Sequence, residues 1–250
     1  MPKTLPTPAA PAPDVTRGVL AIKPFRKLWN SMVFSSLGDW LGLLATTALA
    51  QQLSGGDYAK ANFAIAGVFI ARLLPAVFLG PIAGVIADKL DRRKLMVNCD
   101  ILRTGLYISI PIFHNYFWLY TAMILVECLT LFWSPAKEAT VPNLVGKEKL
   151  ESANQVSLLA AYGTAPIAAI LFSLLTLFAN AIESLFPFSI GGSIDIALYV
   201  NAASFAFAAI TIWGLKEIPK GAAAKKAKDT AKAQAEADVE CLSQPGHCDA

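Results

Sequence analysis

The stretch Gly84–Arg103, GVIADKLDRRKLMVNCDILR, decides how this chain is read, because it gathers acids and bases between two long apolar runs. The chain has 250 residues, of which 55% are hydrophobic and only 16% charged, and its mean hydropathy is +0.52. That composition is too apolar for an ordinary soluble domain. A bilayer core of about 30 Å needs about 20 mostly apolar residues per helical span.

Six stretches meet that length: residues 28–53, 62–87, 95–113, 117–135, 156–182 and 194–215. They are too long and too continuous for membrane β-strands, which alternate with period two over about ten residues. The expected fold is an all-α membrane protein with six transmembrane helices. The charged stretch is then the connection between the second and third. On this reading residues 1–27 form a disordered N-terminal segment opening MPKTLPTPAAPAP, residues 28–215 the membrane domain and residues 216–250 a polar tail.

Lys and Arg accumulate on the cytoplasmic side of membrane proteins. Lys3, Arg17, Lys23, Arg26 and Lys27 precede the first span, and Lys89, Arg92, Arg93 and Lys94 follow the second. Lys137, Lys147 and Lys149 follow the fourth, further lysines from Lys216 follow the sixth, and the opposite side has Lys60. Six spans place all four basic segments on one side, so both termini are expected in the cytoplasm and the protein in the cell membrane. The first run is too long for a secretory signal. The net charge of +3 reflects this topology and attraction to the membrane surface, not nucleic acid.

The loop charges Arg92, Arg93 and Lys94 are explained by topology alone. Asp100 and Arg103 are not, since they lie inside the third span, three residues apart on one helix face, where an exposed charge costs at least about 2.5–3.5 kcal/mol. Both need partners. Near the middle of their spans stand four ionisable residues, Asp39, Arg72, Arg103 and Glu127. They form two pairs or one network, and the sequence leaves the pairing open. Asp39 or Glu127 is a candidate for binding and releasing a proton; the competing reading is a permanently ionised network that locks helix packing. Asp39 is the residue assigned to transport, and Arg103 is assigned to a network with Asp100.

At this point the residues carry a resemblance. Gly84 to Lys94, GVIADKLDRRK, resembles the loop between the second and third helices of the major facilitator superfamily, roughly G-x-L-A-D-R-x-G-R-R. Asp91 stands where most members have Gly. The D-R-x-D-R-R-like form is similar to the branch with macrolide and siderophore exporters, as are Gly38-Asp39 and the run Ser134–Gln155 between the fourth and fifth spans.

The resemblance implies one six-helix half of a secondary transporter, with small-molecule efflux by alternating access or antiport, and with lipid, a small molecule, protons and a second half, in cis or in trans, as partners. It further implies a latch in which Gly84 belongs to the loop motif, Asp88 caps a helix, and Arg92 and Arg93 form a charge network with Asp100 that breaks as the halves rock. The exporter motif of the fourth span has an Arg in the family, whereas here LYTAMILVECLTLFW offers Glu127.

Other features are read as packing. Pro75, Pro81, Pro111 and Pro166 fall in or near spans, where kinks are tolerated when neighbours satisfy the freed carbonyl. Gly80 and Gly84 form a small-xxx-small pair. Tyr116, Phe117, Trp118 and Tyr120 read as an interfacial belt, and Asn201 as a helix-bonding amide. Cys99 and Cys128 are apolar packing residues. CLSQPGHC, with Cys241, His247 and Cys248, lacks a fourth ligand, so no metal is assigned.

The run Val19–Leu53 is similar to the start of actinobacterial chains in which a facilitator-like region precedes a thymidylate kinase domain, so a membrane anchor for a downstream kinase is the alternative. The chain itself contains no G-x-x-x-x-G-K-[ST] phosphate loop, no H-E-x-x-H zinc helix and no G-x-S-x-G elbow. No enzymatic activity and no cofactor are assigned. An incomplete transporter, a self-pairing half and the membrane part of a fusion are three readings of a chain with one six-helix set.

Overall fold

A computed structural model describes residues 15–185 and 192–215. A short helix α1 (Val15–Leu20) leads into α2 (Lys23–Leu53), α3 (Tyr58–Lys89), α4 (Arg92–Phe113), α5 (Tyr116–Val145), α6 (Leu150–Leu185) and α7 (Ser193–Trp213), with one 3-10 turn at Lys147–Lys149. The six long helices each carry an apolar window long enough to cross a membrane. Among the described residues there is no strand.

The connections are short and built from local chemistry. Asp57 caps α3, its carboxylate accepting the backbone N–H groups of Ala59 at 3.0 Å and Lys60 at 3.1 Å. Asn115 caps α5 by accepting from Trp118 N–H at 2.8 Å. Each satisfies donors that a helix start otherwise leaves orphaned. Gly55 and Gly56, at φ 63° and 88°, make the turn between α2 and α3 in a region that disfavours side chains.

Packing does not follow chain order. The broadest contacts join α2 to α7, α3 to α5, α4 to α7, α2 to α6 and α4 to α5, whereas α3 and α4 scarcely touch although two residues separate them. On α4 the inward stripe is Met96, Asp100, Arg103, Tyr107 and Ile110, spaced alternately four and three as a helix face requires. Two apolar clusters form the interior. One contains Phe25, Leu28, Met96 and Trp133; the other contains Leu49, Val68, Tyr107 and Phe205. Along α2, α4 and α5, the charges Asp39, Asp100, Arg103 and Glu127 fall where these clusters meet. The outer faces of α3 and α6 expose Leu73, Val77, Phe78, Ile170, Leu174 and Leu177, as suits lipid.

Helix boundaries differ from the sequence reading at several places. Residues 15–27, expected within a disordered segment, form α1 and the start of α2, because Val19 and Phe25 bury fully against the bundle. The remaining N-terminal residues and the tail from Lys216, including Cys241, His247 and Cys248, lie outside the described residues. The fourth span does not end at Pro135: α5 runs through Pro135 and Pro142 to Val145, because Ala136, Thr140, Val141 and Val145 are buried and packing outweighs the lost N–H donors. The expected connection over residues 88–94 reduces to Leu90 and Asp91.

Candidate functional site

Asp91 explains that short turn. Its carboxylate accepts the N–H groups of Arg93 at 3.2 Å and Lys94 at 3.3 Å, so α4 begins at Arg92. The Asp that replaces the family's Gly therefore acts as a helix cap. Arg92 Nη1 donates to the Ala139 carbonyl of α5 at 2.9 Å. Arg93 donates to the Trp213 carbonyl at the C-terminal end of α7, where unsatisfied carbonyls concentrate, and lies 6.0 Å from the Trp213 ring centroid. The hairpin thus braces α4 against α5 and α7.

Asp100 is held from other directions in this arrangement. Both oxygens of Asp100 are occupied elsewhere: Oδ1 accepts from Arg103 Nη1 at 3.3 Å and Oδ2 from Trp133 Nε1 at 3.2 Å. Asp100 is one turn inside α4, on the buried stripe, while Arg92 and Arg93 sit at the helix start and reach backbone carbonyls. Asp88 belongs to the last turn of α3, but its side chain lies outside the described residues. A Cβ at Gly80 or Gly84 would meet nothing within 4 Å, so this pair makes no close helix contact here.

Close approach occurs instead at Gly38 and Gly42 on α2. A Cβ at Gly38 would lie 2.4 Å from Ser204 Oγ and 2.8 Å from Asn201 Oδ1 of α7. At Gly42 it would lie 2.6 Å from both Asn201 Nδ2 and Tyr107 Oη. Small residues here let α2 meet α7 with the fully buried Asn201 between them. The i, i+4 glycine spacing was readable from sequence; its partner helix was not.

The intramembrane charges separate into pairs. Arg103 and Asp100 are fully enclosed, and the guanidinium lies 5.6 Å from the Trp133 ring centroid and 5.3 Å from that of Phe205. Two aromatic faces and a carboxylate offset part of what the buried cation loses from water, while its Nε and Nη2 make no hydrogen bond among the described residues. Arg72 of α3 faces Glu127 of α5, with Nε 3.8 Å from Oε2, and donates from Nη1 to the Asp39 carbonyl of α2 at 3.3 Å. The Arg72–Glu127 pair keeps 23% and 18% of its side-chain surface accessible, whereas Arg103 and Asp100 keep 1% and 0%.

Asp39 is the acid left over. Among the described residues its carboxylate makes no hydrogen bond or ion pair, although Arg103 and Arg72 are within Coulombic reach. It lines a cavity of about 230 Å³ with Ser36, Trp40 and Leu43 of α2, Arg72 of α3, Thr130 of α5, and Ala161 and Tyr162 of α6. Trp40 is held in place by its Nε1–H, which donates to the Ala161 carbonyl at 2.8 Å. The geometry is that of a mostly apolar pocket bearing Asp39 and Arg72, beside a sealed ion pair.

The aromatic cluster at the start of α5 is only partly a belt. Phe117 is exposed, but Tyr116 donates to Ala50 O at 3.4 Å, Trp118 to Ser109 Oγ at 2.9 Å and Tyr120 to Ala64 O at 3.2 Å. These three tie α5 to α2, α4 and α3. Sequence reasoning also missed Trp133 and Phe205, which looked like ordinary span residues.

Comparison with known proteins agrees with this architecture. The family described as transmembrane secretion effector, a major facilitator family, matches residues 16–190. The chain belongs to that family. It is therefore a multi-pass membrane protein of a transporter family and not an enzyme; in a bacterium such proteins reside in the plasma membrane.

The uncharacterized MFS-type transporter YfiS of Bacillus subtilis is 28% identical over 82% of this chain and 44% of its own length. YkuC, another uncharacterized MFS-type transporter of Bacillus subtilis, is 31% identical over 60% of this chain and 32% of its own length. Macrolide efflux protein A of Enterococcus faecalis is 32% identical over 31% of this chain and 25% of its own length. The chain thus covers less than half the length of each relative. Their names are those of transporters and an efflux protein, and the kinase-fusion reading gains no support from them.

Proposed function

We propose that this family member acts as one six-helix half of a secondary exporter, moving a small molecule by alternating access, with its working surface around Asp39, Arg72 and Glu127. One observation carries the reading: Asp39 and Arg72 line a cavity, and Arg72 and its partner Glu127 keep part of their side-chain surface accessible. Left against lipid, an ionised side chain near the span centre costs at least about 2.5–3.5 kcal/mol. A second six-helix body, in cis or in trans, removes that cost and creates a site between halves near the midplane.

On this reading the sealed Arg103–Asp100 pair is a fixed structural element, and Asp39 is the acid free to exchange a proton or contact substrate. The hairpin formed by Gly84, Asp88, Arg92 and Arg93 controls how one end meets the second half. Both termini lie in the cytoplasm, following the basic segments. The efflux names among the relatives favour export.

The test is uptake of a labelled panel of cationic, neutral and anionic small molecules into inside-out vesicles containing the full-length protein. Protein-dependent uptake of a panel member that Arg72→Gln or Glu127→Gln reduces supports the reading. No protein-dependent uptake of any panel member overturns it.

A further inference from the structure

We infer that the groove between α4 and α7 binds an anionic phospholipid, with an acyl chain along the groove and the headgroup phosphate against Arg93 and Lys94 at its end. This site is separate from the charges around Asp39 and does not depend on the exporter reading.

The shape of the groove is the first support. It is a cavity of about 350 Å³ lined by Val97, Ile101 and Thr104 of α4 and by Ala206, Ala209 and Trp213 of α7. The Thr104 hydroxyl already donates to the Asp100 carbonyl of its own helix at 2.8 Å, so the lining is apolar apart from the indole N–H of Trp213. Small residues, Ala206 and Ala209, lie between large exposed ones, Ile101, Ile210 and Trp213. Helices associate in a bilayer where small residues let their backbones approach. Large side chains along the edges hold a second helix off, whereas a flexible acyl chain reaches the alanines between them.

Charge at one end of the groove is the second support. The Arg93 guanidinium lies 6.0 Å from the centroid of the Trp213 ring, which itself lines the groove. One Arg93 donor goes to the Trp213 carbonyl, and a guanidinium has five, which leaves a fork suited to phosphate oxygens. Lys94 is exposed three residues before Val97, on the same row of α4. Residues 88–94 carry four bases, Lys89, Arg92, Arg93 and Lys94, against two acids, Asp88 and Asp91. The Asp91 carboxylate is engaged by the N–H groups that open α4. A surplus of positive charge therefore stands where an apolar groove reaches the end of the bundle, which is the pattern an anionic lipid complements.

The test is quenching of tryptophan fluorescence by acyl-brominated phosphatidylglycerol and, separately, acyl-brominated phosphatidylcholine, added to the full-length protein in detergent micelles. Trp213 is one of five tryptophans, so its share is the quenching lost in Trp213→Phe. Phosphatidylglycerol is expected to quench Trp213 at about tenfold lower mole fraction than phosphatidylcholine. The preference should persist in Arg93→Lys and fall to within about twofold when Arg93→Gln and Lys94→Gln are combined. Ala206→Leu, which fills the groove, should abolish it. Equal quenching by the two lipids reduces the groove to a general acyl contact and overturns the assignment. Absence of quenching by either means that protein covers the groove, and overturns it as well. So does a phosphatidylglycerol preference that survives loss of both bases or Ala206→Leu. Total quenching of the unaltered protein gives the same comparison of lipids where a variant fails to fold.

Discussion

Arg103 donates from Nη1 to Asp100 Oδ1 at 3.3 Å, one turn earlier on α4, and neither side chain retains more than 1% of its surface. Breaking such a pair leaves an uncompensated buried charge, whereas replacing both partners by apolar residues does not. We expect Asp100→Leu and Arg103→Met each to lower stability by about 3–5 kcal/mol, and the double substitution to recover most of that loss. Thermal unfolding in detergent, followed by intrinsic fluorescence, measures it. Single variants as stable as the parent would refute the pairing.

Trp133→Phe keeps a ring beside Arg103 but removes the Nε1–H that binds Asp100 at 3.2 Å. A hydrogen bond to a charged acceptor contributes about 1.5–3 kcal/mol, so a loss in that range is expected in the same unfolding assay. A variant matching the parent would mean that Trp133 acts only as a packing surface.

Gly42→Ala places a methyl 2.6 Å from both Asn201 Nδ2 and Tyr107 Oη, so those buried side chains or α2 itself must shift. Overpacking of this kind costs about 1–3 kcal/mol. Gly84→Ala meets nothing within 4 Å and should leave the unfolding midpoint unchanged. Any transport defect of Gly84→Ala then reports on contact with the second half. Equal destabilisation by the two changes would contradict the observed helix arrangement.

Asp91→Ala removes the cap of α4 and should cost about 1 kcal/mol, while Asp91→Asn should cost less because the amide oxygen still accepts from the helix start. Amide hydrogen exchange over Arg93 and Lys94 is the direct readout. Unchanged protection in Asp91→Ala would show that the brace through Arg92 and Arg93, not the cap, orders this end.

How much was legible beforehand varies with the kind of residue. The six helices could be read because a span needs a continuous apolar run, which is a local property. Asp100 and Arg103 announced that they needed partners, since charges inside such a run are costly. Their proximity, three residues apart, could be read as well. Trp133, however, lies 33 residues from Asp100, and Phe205 is on the last helix. No local pattern separates a tryptophan that binds a buried carboxylate from one that faces lipid.

The end of α5 shows the opposite failure. Pro135 and the charges Lys137 and Glu138 read locally as the close of a span. Burial of Ala136, Thr140, Val141 and Val145 against neighbouring helices carries the helix ten residues further. Local propensity lost to packing.

By itself the sequence determined the class of molecule, the number of spans, the expected sidedness and the family, because all depend on runs, charges and spacings close along the chain. Only the tertiary structure decided that Trp133 and Phe205 close over the Arg103–Asp100 pair, that Arg72 belongs to Glu127 and that Asp39 makes no ion pair among the described residues. Helix pairing in this bundle brings α2 to α7 and α3 to α5 while leaving the adjacent α3 and α4 apart. The Arg72–Glu127 pair and the aromatic cover of Arg103 follow from that three-dimensional order, since they join helices that touch although their residues lie far apart in sequence.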